Sequence, residues 1–372
     1  MAIVIQPYRQ EHESAVQEFN RRLQASSGDP DLVFSQSASP RWLPPSQDKP
    51  VWNEFFVAVD GSAVRGTYAL KQELLFIRGS GLQRVACYHH PLSEGIVDRA
   101  FASVGVLLAR DALVRQPYLY ALGMGGVDRP IAKMLKALSF SLTSIPFYFR
   151  VVHPAKFLRQ MHALRQERWR AILMDATAVT GVGWLGIKSF QSLTSLRGRT
   201  PSFNSEEVGE FSDWADELWS HGKDLVSLAA VRDGNTLQIL HKADLASVKS
   251  LRISSNGQAI GWAIVGERRK DAKFGQMRVG SIVDCWASST HTGSVVKAAT
   301  RALEASGVDL IVTNQSHHMW CTAFEKFGFL RGPSNFVFAT SRKLTELLQP
   351  LEENQKAFHI TRADGDGLPA NF

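Results

Sequence analysis

Apolar positions fall in the same succession of periods from Trp52 to Phe149 and again from Lys249 to Thr340. A strand-like run broken by Asp60-Gly61 answers one broken by Asn256-Gly257. Asp-Gly and Asn-Gly suit the positive-φ positions of a tight turn, so each site predicts a β-hairpin. Val85-Ala86-Cys87-Tyr88 and Val283-Asp284-Cys285-Trp286 follow, each with a glycine eight residues past the cysteine, Gly95 and Gly293. Val97, Ala100, Phe101, Val104, Leu107 and Leu108 then recur at helical spacing, as do Val295, Val296, Ala299, Ala302 and Leu303. That spacing predicts one buried helix face in each half. Short apolar strands at 118–122 and 310–313 come next, each before a second helix. Asp128 with Pro130 in the opening turn is the cap expected for one, and Ser316 for the other. The helices end in Leu138-Ser139-Phe140 and Phe327-Gly328-Phe329. Both halves therefore read hairpin, strand, helix, strand, helix, strand, and the shared register predicts a duplication with Cys87 on Cys285 and Gly95 on Gly293.

This pattern divides the chain into a first α/β domain over 1–153, a connector over 154–204, a second α/β domain over 205–345 and a polar tail over 346–372. Pro154 to about Asp175 reads as an amphipathic helix, with Phe157, Met161 and Leu164 on one side and arginines on the other. Ser205 to Trp219 reads as the first helix of the second domain. From about Gln349 the composition turns polar, which predicts a loose end.

At 372 residues the chain is long enough for two cores, and 44% hydrophobic with 21% charged residues is the composition of folded protein. No apolar run has the length of a membrane span, and the residues after Met1-Ala2-Ile3-Val4-Ile5 are polar where a secretory leader is apolar, so a cytoplasmic protein is expected. Three cysteines with no CxxC spacing predict neither a disulfide framework nor a metal site. The net charge is +7, and residues 150–199 alone carry nine Lys and Arg against Glu167 and Asp175, a surplus of the same size. That segment favours an anionic partner. Its arginines do not alternate with aromatics as stacking platforms for single strands do, so nucleic acid is the weakest choice. Gly123-Met124-Gly125-Gly126 lacks the spacing of a dinucleotide fingerprint.

Ala323-Phe324-Glu325-Lys326-Phe327-Gly328-Phe329 resembles the signature of the GNAT acyltransferase superfamily, in which a helix ends in Glu-Lys-hydrophobic-Gly-Phe. Met134 to Phe140 looks like a weaker version of it. The resemblance implies two tandem GNAT-like domains of the α/β class, each a mixed, mostly antiparallel sheet flanked by helices. It also implies an acyl-CoA donor, acetyl-CoA by default, beside that helix, with the pantetheine arm along Thr313 and Asn314. A pyrophosphate suits the free amides and positive dipole end of a helix start. Ser289, Thr290, Thr292, Gly293 and Ser294 are the small residues at that station in the second half. Pro91 to Gly95 holds the same station in the first, where Glu94 opposes a phosphate. Phe324, and Leu135 in the first half, stand where the family often has a tyrosine that protonates the leaving thiolate.

Amine acylation needs a base and a carbonyl-polarising donor. Asp284, in the apolar strand after Ile282 and Val283, is a candidate base, with a solvated strand face as its alternative. His291 and the pair His317-His318 are the other groups that titrate near neutrality, as is His89-His90 in the first half. Cys87 and Cys285 read as core residues. The resulting reading is an acyltransferase acting on an amine or hydroxyl of a small or sugar-like acceptor, including a glycan precursor of envelope or polysaccharide biosynthesis. Its rivals are a non-catalytic double-GNAT scaffold and a transferase that draws its donor from aminoacyl-tRNA.

Overall fold

The computed structural model describes residues 3–30, 32–160, 200–241, 248–267 and 275–365. In chain order the first half gives β1 (Val4–Pro7), α1 (Glu13–Ser27), β2 (Trp52–Asp60), β3 (Ala63–Ile77), β4 (Gly81–Ser93), α2 (Val104–Arg115), β5 (Leu119–Gly123), α3 (Pro130–Ala137), β6 (Ser141–Ser144), β7 (Phe147–Val151) and α4 (Pro154–Gln160). The second gives β8 (Asn204–Val208), α5 (Asp213–Gly222), β9 (Leu228–Ala230), α6 (Gly234–Leu240), β10 (Val248–Ser255), β11 (Gln258–Glu267), β12 (Val279–Ala287), α7 (Thr292–Ala305), β13 (Leu310–Asn314), α8 (His318–Lys326), β14 (Leu330–Gly332), β15 (Val337–Thr340), α9 (Arg342–Leu347), α10 (Leu351–Asn354) and β16 (Phe358–His359).

These elements form two compact units. One holds the chain up to Ser144, Asn335–Leu351 and the segment at Asp364; the other holds Ile145–Ser334 and Glu352–Ala363. The first unit's sheet runs β1-β2-β3-β4-β5-β15-β6, and the second's runs β8-β10-β11-β12-β13-β7-β14. The two orders match position for position, with β15 and β7 in equivalent places. Each sheet therefore takes its sixth strand from the other half of the sequence, across the boundaries expected at 153 and 345. The cause is local. Pro146 and Pro333 follow β6 and β14, and a residue before proline is held extended while proline itself has no N–H for a ladder. At both places the chain leaves its sheet instead of turning back as a hairpin.

The first sheet is covered on both faces. Val16, Phe19 and Leu23 of α1 pack with Phe34, Phe55 and Val57 on one side. Val104, Leu108 and Leu135 of α2 and α3 pack with Tyr68, Leu70 and Tyr88 on the other. In the second unit, Val295, Ala299 and Leu303 of α7 and Phe324 of α8 join Ile253, Ala263, Ile282 and Cys285.

Both predicted hairpins are present. Asp60 pairs with Ala63 across Gly61 (φ 62°), and Ser255 pairs with Gln258 across Asn256 (φ 49°) and Gly257 (φ 81°). The ladders then fix the true register of the duplication. Gly66 faces Ser93 and Leu70 faces Tyr88; Gly261 faces Ala287 and Val265 faces Ile282. Lys71 faces Cys87 where Gly266 faces Ser281. Cys87 thus corresponds to Ser281, and Cys285 to Pro91, so the cysteine match expected from sequence was a slip of four residues. A slip by an even number keeps every side chain on its own face, so the apolar pattern alone does not detect it. Gly66 and Gly261 are the true equivalents. A Cβ on Gly66 would lie 2.7 Å from Val104 and 3.2 Å from the Leu92 carbonyl, and one on Gly261 2.5 Å from Val295 and 2.6 Å from the Trp286 carbonyl. Val104 therefore matches Val295, and Gly95 does not fall on Gly293.

Three further expectations are corrected. Residues 204–208 form β8, the equivalent of β1, and only the stretch from Asp213 is helical. The chain after Gln349 is not a loose end through Asp364: Phe358 and His359 are fully buried, and β16 pairs in parallel with β9. Its Phe358-His359-Ile360 run supplies the apolar surface that the preceding polar stretch concealed. At the helix starts, His317 and not Ser316 caps α8, its ring Nδ1 accepting the Met319 N–H at 3.3 Å; α3 starts at Pro130 after Arg129, with no side-chain cap. Residues 161–199 of the connector lie outside the described residues.

Candidate functional site in the second unit

The centre of the second unit is a place where its sheet opens. β12 and β13 run parallel and pair at Val279/Leu310, Gly280/Ile311 and Ser281/Val312, and there the ladder stops although both strands continue. Thr313 Oγ1 donates to the Ile282 carbonyl at 2.8 Å and forms the last link before the strands part. On the other edge of β12, Ile264 faces Asp284 and Val265 faces Ile282, so Val283 opposes no residue of β11. A bulge of this kind bends the strand and re-aims the side chains beyond it.

Past the splay, β12 leads into the turn 288–291 and α7. Ser289 and Thr290 are exposed there, while Thr292 and Ser294 are buried in the first turn. His291 precedes α7, and its Nδ1 lies 2.8 Å from Ser288 Oγ and 3.0 Å from Thr290 Oγ1. Gly293 packs on the Phe327 ring, which a Cβ would approach to 3.0 Å. This contact joins the turn to the Phe327-Gly328-Phe329 motif, across 34 residues of sequence from Gly293 to Phe327. The amides of a helix's first turn have no partners within the helix, and the small residues Ser289 and Thr290 stand exposed beside them.

A narrow slot of about 20 Å³ opens beside that turn, lined by Trp286, Ala287, Ser289 and Thr292, by His317, Met319 and Trp320, and by Leu225 and Val226. The His317 ring spans it, with Nε2 3.4 Å from the Leu225 carbonyl. Trp286 is fixed from behind. Its indole N–H donates to the Leu218 carbonyl at 3.0 Å, Trp219 packs at 5.0 Å between centroids, and a Cβ on Gly222 would fall 2.6 Å from the indole nitrogen.

Behind Trp286 lies a buried charge cluster. Arg232 and Asp284 are 2% and 3% exposed and pair through Nε to Oδ2 at 2.9 Å and Nη2 to Oδ1 at 3.3 Å. His359 Nε2 is 3.6 Å from Asp284 Oδ1, and its ring meets Trp286 edge-on at 4.8 Å. Arg232 also reaches the Ala230 carbonyl and Thr361 Oγ1. Burial alone would raise the Asp284 pKa; the charges of Arg232 and His359 outweigh it and hold the carboxyl well below the usual range. Asp284 is thus neither on a solvated face nor a loose carboxylate. Arg232 and His359 were invisible to motif reasoning because they come from residues 52 and 75 positions away.

Thr313 and Asn314 are buried at the splay, and Asn314 Nδ2 donates to the Pro146 carbonyl at 3.3 Å. Phe324 is fully buried in the core and carries no proton donor to the slot. Cys285 is buried, and burial pushes its thiol pKa up, as suits a core residue. Among the described residues no group of three or more His, Cys, Asp and Glu side chains is arranged to hold a metal, and no helix is long and apolar enough to cross a membrane.

The first unit repeats the splay without the open turn. β4 and β5 pair at Ala86/Leu119 and Cys87/Tyr120 and then part. The stretch before α2 is longer here and folds as two short 3-10 turns. Glu94 closes it: its carboxylate takes Arg22 Nε at 2.9 Å and Arg65 Nη1 at 2.8 Å, and these hydrogen bonds hold its pKa down against burial. The end of α3 matches that of α8 bond for bond. Phe140 N–H reaches the Leu135 carbonyl and Phe329 N–H the Phe324 carbonyl, both at 3.0 Å, with Ser139 (φ 65°) and Gly328 (φ 78°) in the left-handed C-terminal position.

Two copies of a mostly antiparallel sheet whose central parallel pair splays beside a helix start define the GNAT fold in a two-domain arrangement. Solved structures agree. Saccharomyces cerevisiae N-myristoyltransferase with bound myristoyl-CoA is similar with a TM-score of 0.54 at 10% identity, over 92% of this chain and 79% of that one. A conserved protein of unknown function from Enterococcus faecalis V583, a probable N-acyltransferase, gives 0.52 at 10% identity over 94% and 75%. A GCN5-related N-acetyltransferase from Anabaena variabilis ATCC 29413 gives 0.52 at 12% identity over 91% and 72%. No family profile and no curated protein matches the chain by sequence. At these identities the likeness establishes the fold: this chain has the GNAT-superfamily fold with two domains.

Proposed function

We propose that this protein is an acyl-CoA-dependent N-acyltransferase whose second unit binds the donor. The observation that carries this reading is the parting of β12 from β13 together with an apolar slot that lies beside an exposed helix-start turn and is lined by residues beyond the splay on β12 and at the start of the helix after β13. The similar structures support it, because one is an N-myristoyltransferase that holds myristoyl-CoA and the other two are named as a probable N-acyltransferase and a GCN5-related N-acetyltransferase. In this reading the amides of Ser289, Thr290, Thr292, Gly293 and Ser294 receive the pyrophosphate, Thr313 and Asn314 line the pantetheine path, and the thioester lies at the bulge of β12. Acetyl-CoA is the default donor, and a small amine or an amine-bearing glycan precursor the acceptor.

The amine nitrogen attacks the thioester carbonyl carbon, the C–N bond forms, and the C–S bond then breaks to release the thiolate. The neutral amine attacks, its nitrogen becomes cationic and gives one proton to water, and water protonates the thiolate, so Phe324 needs no hydroxyl. His317, whose Nδ1 accepts the Met319 N–H and whose Nε2 meets the Leu225 carbonyl, holds the wall of the slot. His291, in the turn, faces the phosphate end. Asp284 acts through Arg232 and His359, holding the wall behind Trp286, and is a positioning residue in this scheme. The closed station at Glu94 leaves one donor site per chain.

The test is a calorimetric titration with acetyl-CoA, followed by release of free thiol in the presence of a panel of amines. A Ser289→Asp variant, with its new carboxylate on an exposed turn, is expected to bind at least tenfold more weakly. The buried state of Asp284 favours one rival, a protein that binds acyl-CoA without turning it over; heat of binding with no thiol release would select it.

A further inference from the structure

We infer that Trp286 limits the length of the acyl group, and that the slot takes a short aliphatic acyl chain and rejects medium and long ones. This inference rests on the donor-binding reading of the second unit and adds the acyl class to it.

The slot has a cavity volume of about 20 Å³. About 10–15 Å³ on this measure holds one water-sized group, so this is room for about one or two such groups beyond the thioester. A chain of about fourteen carbons would need about 140–210 Å³ on the same measure. The apolar part of the lining is Trp286, Leu225, Val226, Met319 and Trp320, which suits an aliphatic group and offers little to a charged one. Trp286 cannot yield easily, because its indole is hydrogen-bonded to the Leu218 carbonyl, pressed against Gly222 and backed by His359. Met319, by contrast, is a half-exposed, flexible wall.

Acetyl-CoA, butyryl-CoA, octanoyl-CoA and free CoA are titrated calorimetrically into the full chain and into Trp286→Ala and Met319→Ala, each first checked for a cooperative thermal melt. The parent is expected to bind acetyl-CoA at least tenfold more tightly than octanoyl-CoA. In Trp286→Ala that ratio is expected to fall at least tenfold, and in Met319→Ala by a smaller factor in the same direction. A parent that binds octanoyl-CoA as tightly as acetyl-CoA overturns the inference, as does a folded Trp286→Ala with an unchanged ratio. If Trp286→Ala does not fold, Met319→Ala decides by the same ratio. Failure of every CoA species, free CoA included, to bind the parent refutes the donor-binding reading itself, and the length limit with it.

Discussion

Replacing Asp284 by asparagine keeps the shape of the side chain and removes the charge that Arg232 is paired with, deep in the second unit. Both groups are almost fully buried and joined by two hydrogen bonds, the shorter of 2.9 Å. At a charge separation of about 4 Å and an effective dielectric of about 20, their attraction is about 4 kcal/mol. Removing one partner of a buried pair costs about 3–5 kcal/mol, because the remaining ion has given up its water for nothing. Asp284→Asn is therefore expected to destabilise the second unit by about that amount, a large share of a typical domain's stability. Arg232→Met on top of it removes the stranded charge and is expected to restore at least half of the loss. Urea unfolding followed by tryptophan emission reads this directly, since Trp286 lies 5.9 Å from the Arg232 guanidinium. The pH dependence has a definite sign. The Asp284 pKa is depressed in the folded state, so its contribution is present above its unfolded pKa, near 4, and drains away as pH falls further. The gap between parent and Asp284→Asn is expected to narrow from pH 7 to pH 3. An Asp284→Asn variant within about 1 kcal/mol of the parent at pH 7 would refute the reasoning, as would single losses that simply add in the double variant.

Gly66→Ala and Gly261→Ala, at the two equivalent close approaches, are each expected to cost about 1–3 kcal/mol by chemical denaturation; a neutral result at either would mean the copies do not share this contact. Phe358→Ala, in the C-terminal segment, is expected to cost about 3–5 kcal/mol, as for a core phenylalanine. A cost under about 1 kcal/mol there would return the segment to the status of a loose end. Glu94→Gln is expected to lower stability by about 2 kcal/mol at pH 7, a discount from the fully buried case because Arg22 and Arg65 are partly exposed. Equal melting of parent and variant would show that the closed turn does not depend on this carboxylate.

The duplication was legible in the sequence because its strongest signals are local. Asn256-Gly257 makes a hairpin wherever it lies between strands, and Phe327-Gly328-Phe329 ends a helix by the φ of one glycine. The cysteine register was misread because strand periodicity repeats every second residue, and only hydrogen-bond partners separate a slip of four from the true alignment. The exchange of β7 and β15 was hidden for a related reason: Pro146 and Pro333 say that the chain leaves its sheet, and nothing nearby says where it goes. The turn 288–291, His317 and the strand end at Thr313 could be read as one candidate set because they follow one another along the strands and helices that make the splay. Trp286, Arg232 and His359 adjoin that set through distant contacts, and His359 sits in a segment whose polar neighbours disguised it.

The most direct measurement is the number of donor sites per chain. Calorimetric titration of the full chain with acetyl-CoA is predicted to give one site, abolished or weakened at least tenfold by Ser289→Asp and unaffected by Glu94→Gln. Two sites, a single site insensitive to Ser289→Asp, or no binding at all would contradict the account that the open turn of the second unit receives the donor and the closed turn of the first does not.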